Sequence, residues 1–263
     1  AQPSAALLLS NLKSHDEYTF YHSVNVCVLS LALARMAGLG REDLTLMGVG
    51  ALLHDIGKVG VSAATLQHPG RLDNHQWTEI KTHPLEGAES IMAAAGPAQE
   101  AAAVVAFEHH ARFDQSGYPK VGYRQQLHFF SRLVATVDTY DAVTTRRSYR
   151  RAETPGRALR VLLKGAGTLY DPDFVAAFTS LMGIHPPGSL LQLEGGEVVM
   201  VTQLREGAEL PEVVLVRSPD GTLLGRPEPA DLAGRTVVDQ LTPRTVGVDP
   251  ASLLESSGFE DLD

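Results

Sequence analysis

The run from Leu133 to Val143, LVATVDTYDAV, sets Asp138 in the middle of a stretch whose apolar residues recur at the three-and-four spacing of a buried helix. A carboxylate buried without a partner costs several kcal/mol, so whatever this chain folds into must bring a cation to that position. The same demand recurs elsewhere. His22 lies in the apolar helix YTFYHSVNVCVL, His54 and Asp55 follow the apolar run MGVGALL, His83 stands before Pro84 at a helix start, and His109 and His110 end a further helix. Ten histidines are more than packing requires. A lone His-Asp pair reads equally as a capped helix terminus, and a lone histidine on an apolar helix as a satisfied core residue, so only the combination carries weight. Metals of intermediate softness take imidazole together with carboxylate, and two divalent ions held about 3.5–4 Å apart by a bridging aspartate would use this many ligands. Neighbouring helix residues point in different directions, so the doublets His54-Asp55 and His109-His110 reach different sides of such a cluster.

The apolar periodicity predicts a mainly α chain, with helices near 16–38, 41–55, 73–81, 84–95, 98–110, 128–148, 155–166 and 171–182. The first of the two doublets is expected to project from a helix end, with Gly57 in the left-handed conformation that terminates a helix. After IHPPG the pattern changes: SLLQLEGGEVVMVTQL and PEVVLVRSPDGTLLG each read as two strands around a turn. The expected organisation is a helical domain over residues 1–183 and a small antiparallel β module over 184–263, its strands ending near 240 and its tail acidic.

No apolar run reaches the roughly 18 residues of a bilayer span. A net charge of −9 argues against a surface for DNA or RNA polymers, yet TTRRSYRR, residues 144–151, concentrates cations where a small anion could be held. Within it Arg147 and Arg150 can share one helix face and one phosphate, leaving Arg146 and Arg151 to water, although such a run at a helix end is often simply solvated. The single cysteine, Cys27, cannot form an internal disulfide; it reads as a small buried hydrophobe and fits a reducing, cytoplasmic compartment. The first residues, AQPSAALLLSNLKSHDEY, lack an initiator Met and the basic flank of a signal peptide, which reads as a piece of a longer polypeptide with a regulatory region upstream. Lys58, just past a helix C-terminus, reads by itself as a solvated residue favoured by the helix dipole. Trp77 reads as a packing anchor, and His15, His68, His75, His128 and His185 as surface or loop residues.

In order along the chain, DEYTFYHS, HDIGK, the KTHP of 81–84, EHHARFDQSGYP and VDTYDAVTTRRSYR resemble the HD-GYP family, HD-superfamily helical phosphohydrolases that degrade cyclic di-GMP. The resemblance runs over residues 15–183, and the β module resembles the tail often found after that domain. It implies a metal-dependent phosphodiesterase that hydrolyses cyclic di-GMP to pGpG by a metal-bridging hydroxide, with further cleavage to GMP left open. The metal ligands it implies are His22, His54, Asp55, His83, His109, His110 and Asp138, with Asp55 bridging. Lys58 would act near the scissile phosphate, and Asp141, Arg147 and Arg150 would contact the nucleotide. Tyr118 of the Gly117-Tyr118-Pro119 loop would stack on guanine or mark a surface that docks GGDEF-domain proteins. Tyr18 stands where some members carry a glutamate for a third metal, so two ions are expected, Fe or Mn by the donor set, with Zn, Ni or Co able to load. Ala111 and Gln115 replace the usual glutamate and glycine beside the doublet and in the loop. Two other readings stay open: a cyclic di-GMP-binding or scaffold module with little catalysis, and an HD phosphohydrolase for another nucleotide such as cyclic GMP-AMP.

Overall fold

The computed structural model describes residues 17–94, 98–120, 122, 126–145, 153–183, 185–203, 210–249 and 253. The chain divides into two compact units, one of Ala1–Arg151 and Arg160–Leu181, the other of Ala152–Leu159 and Met182–Asp263. The first unit is helical and the second carries an antiparallel sheet, which is the fold class expected from the change of periodicity.

In the first unit, α1 (Glu17–Met36) packs on α2 (Arg41–Leu53) and on α7 (Phe129–Thr144), while α2 also packs on α6 (Gln99–Glu108). The buried stripe of α1 runs through Thr19, His22, Val26, Ser30 and Leu33, so His22 sits on the face turned to the interior. Two short helices, α3 (Ala63–Leu66) and α4 (Asn74–Ile80), lead into α5 (His83–Ala93). A reciprocal capping box fixes the start of α4: Gln76 N donates to Asp73 Oδ1 at 2.8 Å, and Asp73 N donates to Gln76 Oε1 at 3.0 Å. The Glu79 carboxylate ties α4 back to α3, accepting from Ser62 N at 2.7 Å and from the Thr65 hydroxyl.

Two carboxylates missed by the sequence pattern hold α7 at its N-terminal end. Buried Glu108, the last residue of α6, accepts from His128 N at 2.8 Å, and His128 caps α7. Asp171 pairs with Arg132 of α7 and also accepts from Asp173 N at 2.9 Å at the start of α9 (Pro172–Met182).

Between α2 and α3 the chain turns through a short 3-10 helix, Ile56–Gly60, which the periodicity did not indicate. Gly57 is not left-handed there, contrary to expectation. Its role is close approach: a Cβ at Gly57 would lie 2.0 Å from the His83 carbonyl oxygen and 2.6 Å from Gly87 N. Only a hydrogen in place of a side chain lets the turn bearing Asp55 and Lys58 press against the start of α5. Beneath it, Leu53, Ile56, Ile91, Ala102 and Ala106 form one apolar cluster.

The second unit holds β1 (Leu190–Leu193), β2 (Val198–Gln203), β3 (Glu212–Arg217), β4 (Leu223–Ala230) and β5 (Val237–Leu241) in the order β4-β3-β2-β1-β5. Both expected hairpins, β1–β2 and β3–β4, are present, and Gly221 supplies the positive φ of 88° that the second turn needs. Leu191, Val199 and Val201 pack in one apolar cluster and Leu190, Val198 and Met200 in another, which explains the unbroken apolar runs of β1 and β2. This unit also takes in Ala152–Leu159, the first part of α8 (Pro155–Gly165), where Gly156 N donates to Gln240 Oε1 at 3.0 Å. The short α10 (Pro243–Val246) follows the sheet.

Replacing Gly57 with alanine forces backbone apart in a packed region, and overpacking of this kind costs about 1–3 kcal/mol or more. Thermal unfolding of Gly57→Ala is therefore expected to show a clear drop in Tm, whereas Gly122→Ala, at a site with open space around it, leaves Tm within experimental error.

Candidate metal centre

Three imidazoles are oriented by the ends of helices. The last carbonyls of a helix have no intrahelical donor, and a histidine placed one to three residues beyond can reach back to them. His54 follows α2 and its Nδ1 lies 2.7 Å from Ala51 O; His83 lies past the end of α4 with Nδ1 2.7 Å from Ile80 O; His109 follows α6 with Nδ1 2.8 Å from Ala106 O. A carbonyl oxygen only accepts, so each Nδ1 carries the hydrogen and each Nε2 offers a lone pair. The Nε2 lone pairs converge: those of His83 and His109 are 3.3 Å apart.

Asp55 lies among them, almost completely buried. Its Oδ2 is 3.4 Å from His54 Nε2 and 3.8 Å from His22 Nε2, while its Oδ1 is 3.3 Å from His83 Nε2 and 3.7 Å from His109 Nε2. One carboxylate thus faces two sets of donors with different oxygens. The donor atoms of His22, His54 and Asp138 form one group within 4.8 Å of one another, and those of Asp55, His83, His109 and His110 form a second. All seven residues expected to meet do so, from helices α1, α2, α5, α6 and α7 and the turns beside them.

The charge state of the cluster calls for cations. Burial would raise the pKa of Asp55, but the Lys58 ammonium and then the His54 ring outweigh it and hold the carboxyl well below its usual range. Asp138 is likewise held low, burial being outweighed by its hydrogen bond to His22. His83 moves the other way, to about 3, mainly through burial, and burial also lowers His110 strongly. His22 is raised to about 9: burial opposes this, and its hydrogen bonds to Asp138 (2.9 Å) and Asp141 (2.6 Å) prevail. Two buried atoms aimed into the cluster, His54 Nε2 and Asp55 Oδ1, have no hydrogen-bond partner. Orphaned acceptors, facing lone pairs and two anionic carboxylates are what a divalent ion would satisfy, so the donor set fits divalent metal binding.

Asp141 is a correction. Expected at the nucleotide, it lies buried behind His22, where Oδ2 takes the Nδ1 proton and Oδ1 accepts from Asn25 Nδ2 at 3.0 Å. Both oxygens are engaged, so its work is to orient His22, as a carboxylate behind a ligating histidine does. Lys58 does not float in solvent; it pairs with Asp55 at the edge of the cluster. Arg147 and Arg150, like His15, lie outside the described residues.

The doublet is followed by a loop folded back on it. Gly117 approaches so closely that a Cβ there would be 1.9 Å from His110 O, and Tyr118 N donates to that same oxygen at 3.1 Å. The Tyr118 ring consequently lies 4.8 Å from the His110 ring, centroid to centroid. Gln115, where a glycine is usual in the resembling family, has a positive φ of 61°. Ala111 is fully buried, so the missing glutamate is not lost from an exposed wall. A cleft of about 820 Å³ opens at the cluster, lined by His83, His110, Asp138, Lys58 and Tyr118 and also by Trp77. Trp77 is 44% exposed, which corrects its reading as a packing anchor.

The family profile of the HD domain matches residues 7–174. The chain belongs to the HD domain family. A protein of Pseudomonas aeruginosa named as a cyclic di-GMP phosphodiesterase is 35% identical over 264 residues, covering 99% of this HD-domain chain and 61% of that protein. A cyclic di-GMP phosphodiesterase of Thermotoga maritima is 32% identical over 63% of the chain and 45% of its own length. A 3'3'-cGAMP-specific phosphodiesterase of Vibrio cholerae is 33% identical over 64% of the chain and 36% of its own length. The chain therefore spans at most about three-fifths of these relatives. Among solved structures, a HDG"Y"P protein from Bdellovibrio bacteriovorus superposes with a TM-score of 0.50 at 19% identity, over 62% of this chain and 51% of that one, a likeness of fold. None of the described helices is long and apolar enough to cross a membrane.

Removing the carboxylate behind a ligating histidine typically costs 10–100-fold in metal affinity. Asp141→Ala is expected to lose about that factor in a calorimetric titration with Mn(II), with Asp141→Asn, which keeps an acceptor for His22, losing less. Equal affinity for wild type and both variants would show that His22 needs no such support.

Proposed function

We propose that this HD domain is a phosphodiesterase of the HD-GYP type that hydrolyses cyclic di-GMP to linear pGpG with two divalent ions. The observation that carries the reading is Asp55, whose two oxygens face separate donor groups in a buried cluster of seven ligand-type residues. The identity of the curated relatives supports the substrate class. Imidazole with carboxylate suits iron or manganese, and Zn, Ni or Co would load on the same donors. When bound, the ions supply Lewis-acid neutralisation of the phosphate and a water acidified toward neutrality.

The protein's own groups do the rest. Asp141 and the three helix-end carbonyls hold four imidazoles in the orientation that leaves Nε2 inward, with no reorganisation required during the reaction. Lys58, paired with Asp55, stands on the wall of the cleft as a fixed positive charge for a growing negative charge on the phosphate or the leaving oxygen. Arg147 and Arg150 are assigned to the phosphate by resemblance. The position of Tyr118 against His110 supports a role at the nucleotide, and GGDEF docking through Gly117-Tyr118-Pro119 is the alternative use of that loop. A cytoplasmic setting fits the single cysteine. Similarity to the Vibrio cholerae 3'3'-cGAMP-specific enzyme supports a second substrate reading, a mixed purine cyclic dinucleotide.

Chain loaded anaerobically with Fe(II) or Mn(II) is expected to convert cyclic di-GMP to pGpG on product chromatography, and EDTA to abolish the conversion and lower Tm. Turnover of cyclic GMP-AMP or a nucleoside triphosphate without turnover of cyclic di-GMP would overturn the substrate. Tight binding of cyclic di-GMP with no product would leave a scaffold module. Removing a preorganised charge of this kind costs about 10²–10³ in kcat. Lys58→Met is expected to lose that factor while its metal content, measured by plasma emission, stays at the wild-type ratio.

A further inference from the structure

The cleft over the metal centre does not end at Trp77. A second opening of about 760 Å³ shares Trp77 and Tyr118 with it, and Lys81, Arg112 and Lys120 also line it. No carboxylate is among the described residues that line this second lobe, in a chain whose net charge is −9. Trp77 is held in place from both directions: the capping box begins its helix three residues earlier, and the Lys81 ammonium lies 5.6 Å from the indole centroid. The indole is left 44% exposed on a capped helix and lines the same opening as three cations, so much of its surface is open to a ligand.

We infer that Trp77 and the basic lobe form a subsite for the nucleotide half that is not at the metal centre, its purine stacked on the indole and its phosphate held by Lys81, Arg112 and Lys120. The inference rests on the phosphodiesterase reading for the identity of the ligand. Indole offers a flat π-face to any purine, so the site selects a nucleotide without reading its edges. The lysines and the arginine supply the complementary charge, which is stronger for a dianionic terminal phosphate than for a monoanionic diester. A linear 5'-phosphorylated dinucleotide is thus held more firmly than a cyclic one of the same bases.

Trp77 is the only tryptophan in the chain, so its emission reports the subsite directly. The full chain, both treated with EDTA and loaded with Mn(II), is titrated with GMP, pGpG and cyclic di-GMP, with inorganic phosphate as the ligand lacking a base. Saturable quenching by GMP is expected in both preparations, because the subsite contains no metal ligand, and pGpG is expected to saturate at lower concentration than cyclic di-GMP. The double variant Lys81→Ala, Lys120→Ala, both exposed positions, is expected to shift the GMP curve at least about tenfold. Trp77→Phe, followed by anisotropy of a fluorescent guanine nucleotide, keeps the stacking face and is expected to bind within a few-fold of wild type, with Trp77→Ala weaker by about tenfold or more. Unchanged emission with every nucleotide, or GMP quenching that the double variant leaves untouched, overturns the subsite. Cyclic di-GMP hydrolysis alongside unchanged Trp77 emission removes the subsite and leaves the enzyme reading standing. Quenching by GMP with neither binding nor hydrolysis of cyclic di-GMP retains a mononucleotide subsite and removes the dinucleotide reading.

Discussion

A hydrogen bond from imidazole Nδ1 to a carbonyl three residues back, made independently at the ends of three helices, organises the centre of this molecule. Helix C-termini leave carbonyls in need of donors, and in the interior that need is costly to ignore. Histidine answers it with one nitrogen and keeps the other for chemistry. The helix ends also carry partial negative charge, which favours cations gathered near them. His54, His83 and His109 therefore acquire their orientation from the same backbone groups that terminate α2, α4 and α6. Asp55 then lies where the three Nε2 lone pairs meet, and His22, oriented by Asp141 instead of by a carbonyl, completes the ring from α1.

Close approach of backbone is the second constraint. Gly57 against His83 O and Gly117 against His110 O bring two turns within a distance no side chain permits. The first places Asp55 and Lys58; the second places Tyr118. Each glycine is thus a spacing device for the cluster, and neither uses the left-handed freedom usually credited to the residue.

Much of this was legible in the sequence because it follows from burial. An aspartate amid apolar helix residues, as at Asp138, and imidazoles at the edges of apolar runs, as at His22, His54 and His109, announce that distant segments share a polar interior. Apolar periodicity placed the longer helices to within a few residues, though not the short ones at Ala63–Leu66 and Pro243–Val246, and Gly-Gly and Asp-Gly turns gave two of the sheet's pairings. What escaped depends on tertiary placement. Asp141 lies three residues after Asp138, one turn along α7, and only the position of α1 shows that it faces His22 and not the cleft. Trp77 is of a residue type common in cores, and its exposure is a matter of tertiary placement that the local pattern does not carry. The pairing of β5 with β1 joins segments more than forty residues apart, with no turn between them to signal it.

Asp171 has a further implication. Its single carboxylate caps α9 and grips Arg132 on α7, six residues before Asp138, so the helix that supplies a cluster carboxylate is anchored by chain far downstream. On the ribosome, where polypeptide emerges from the N-terminus, His22 through His110 are all made while that anchor is still absent. The contact that anchors the carboxylate-bearing helix is therefore available only after every cluster residue has been translated.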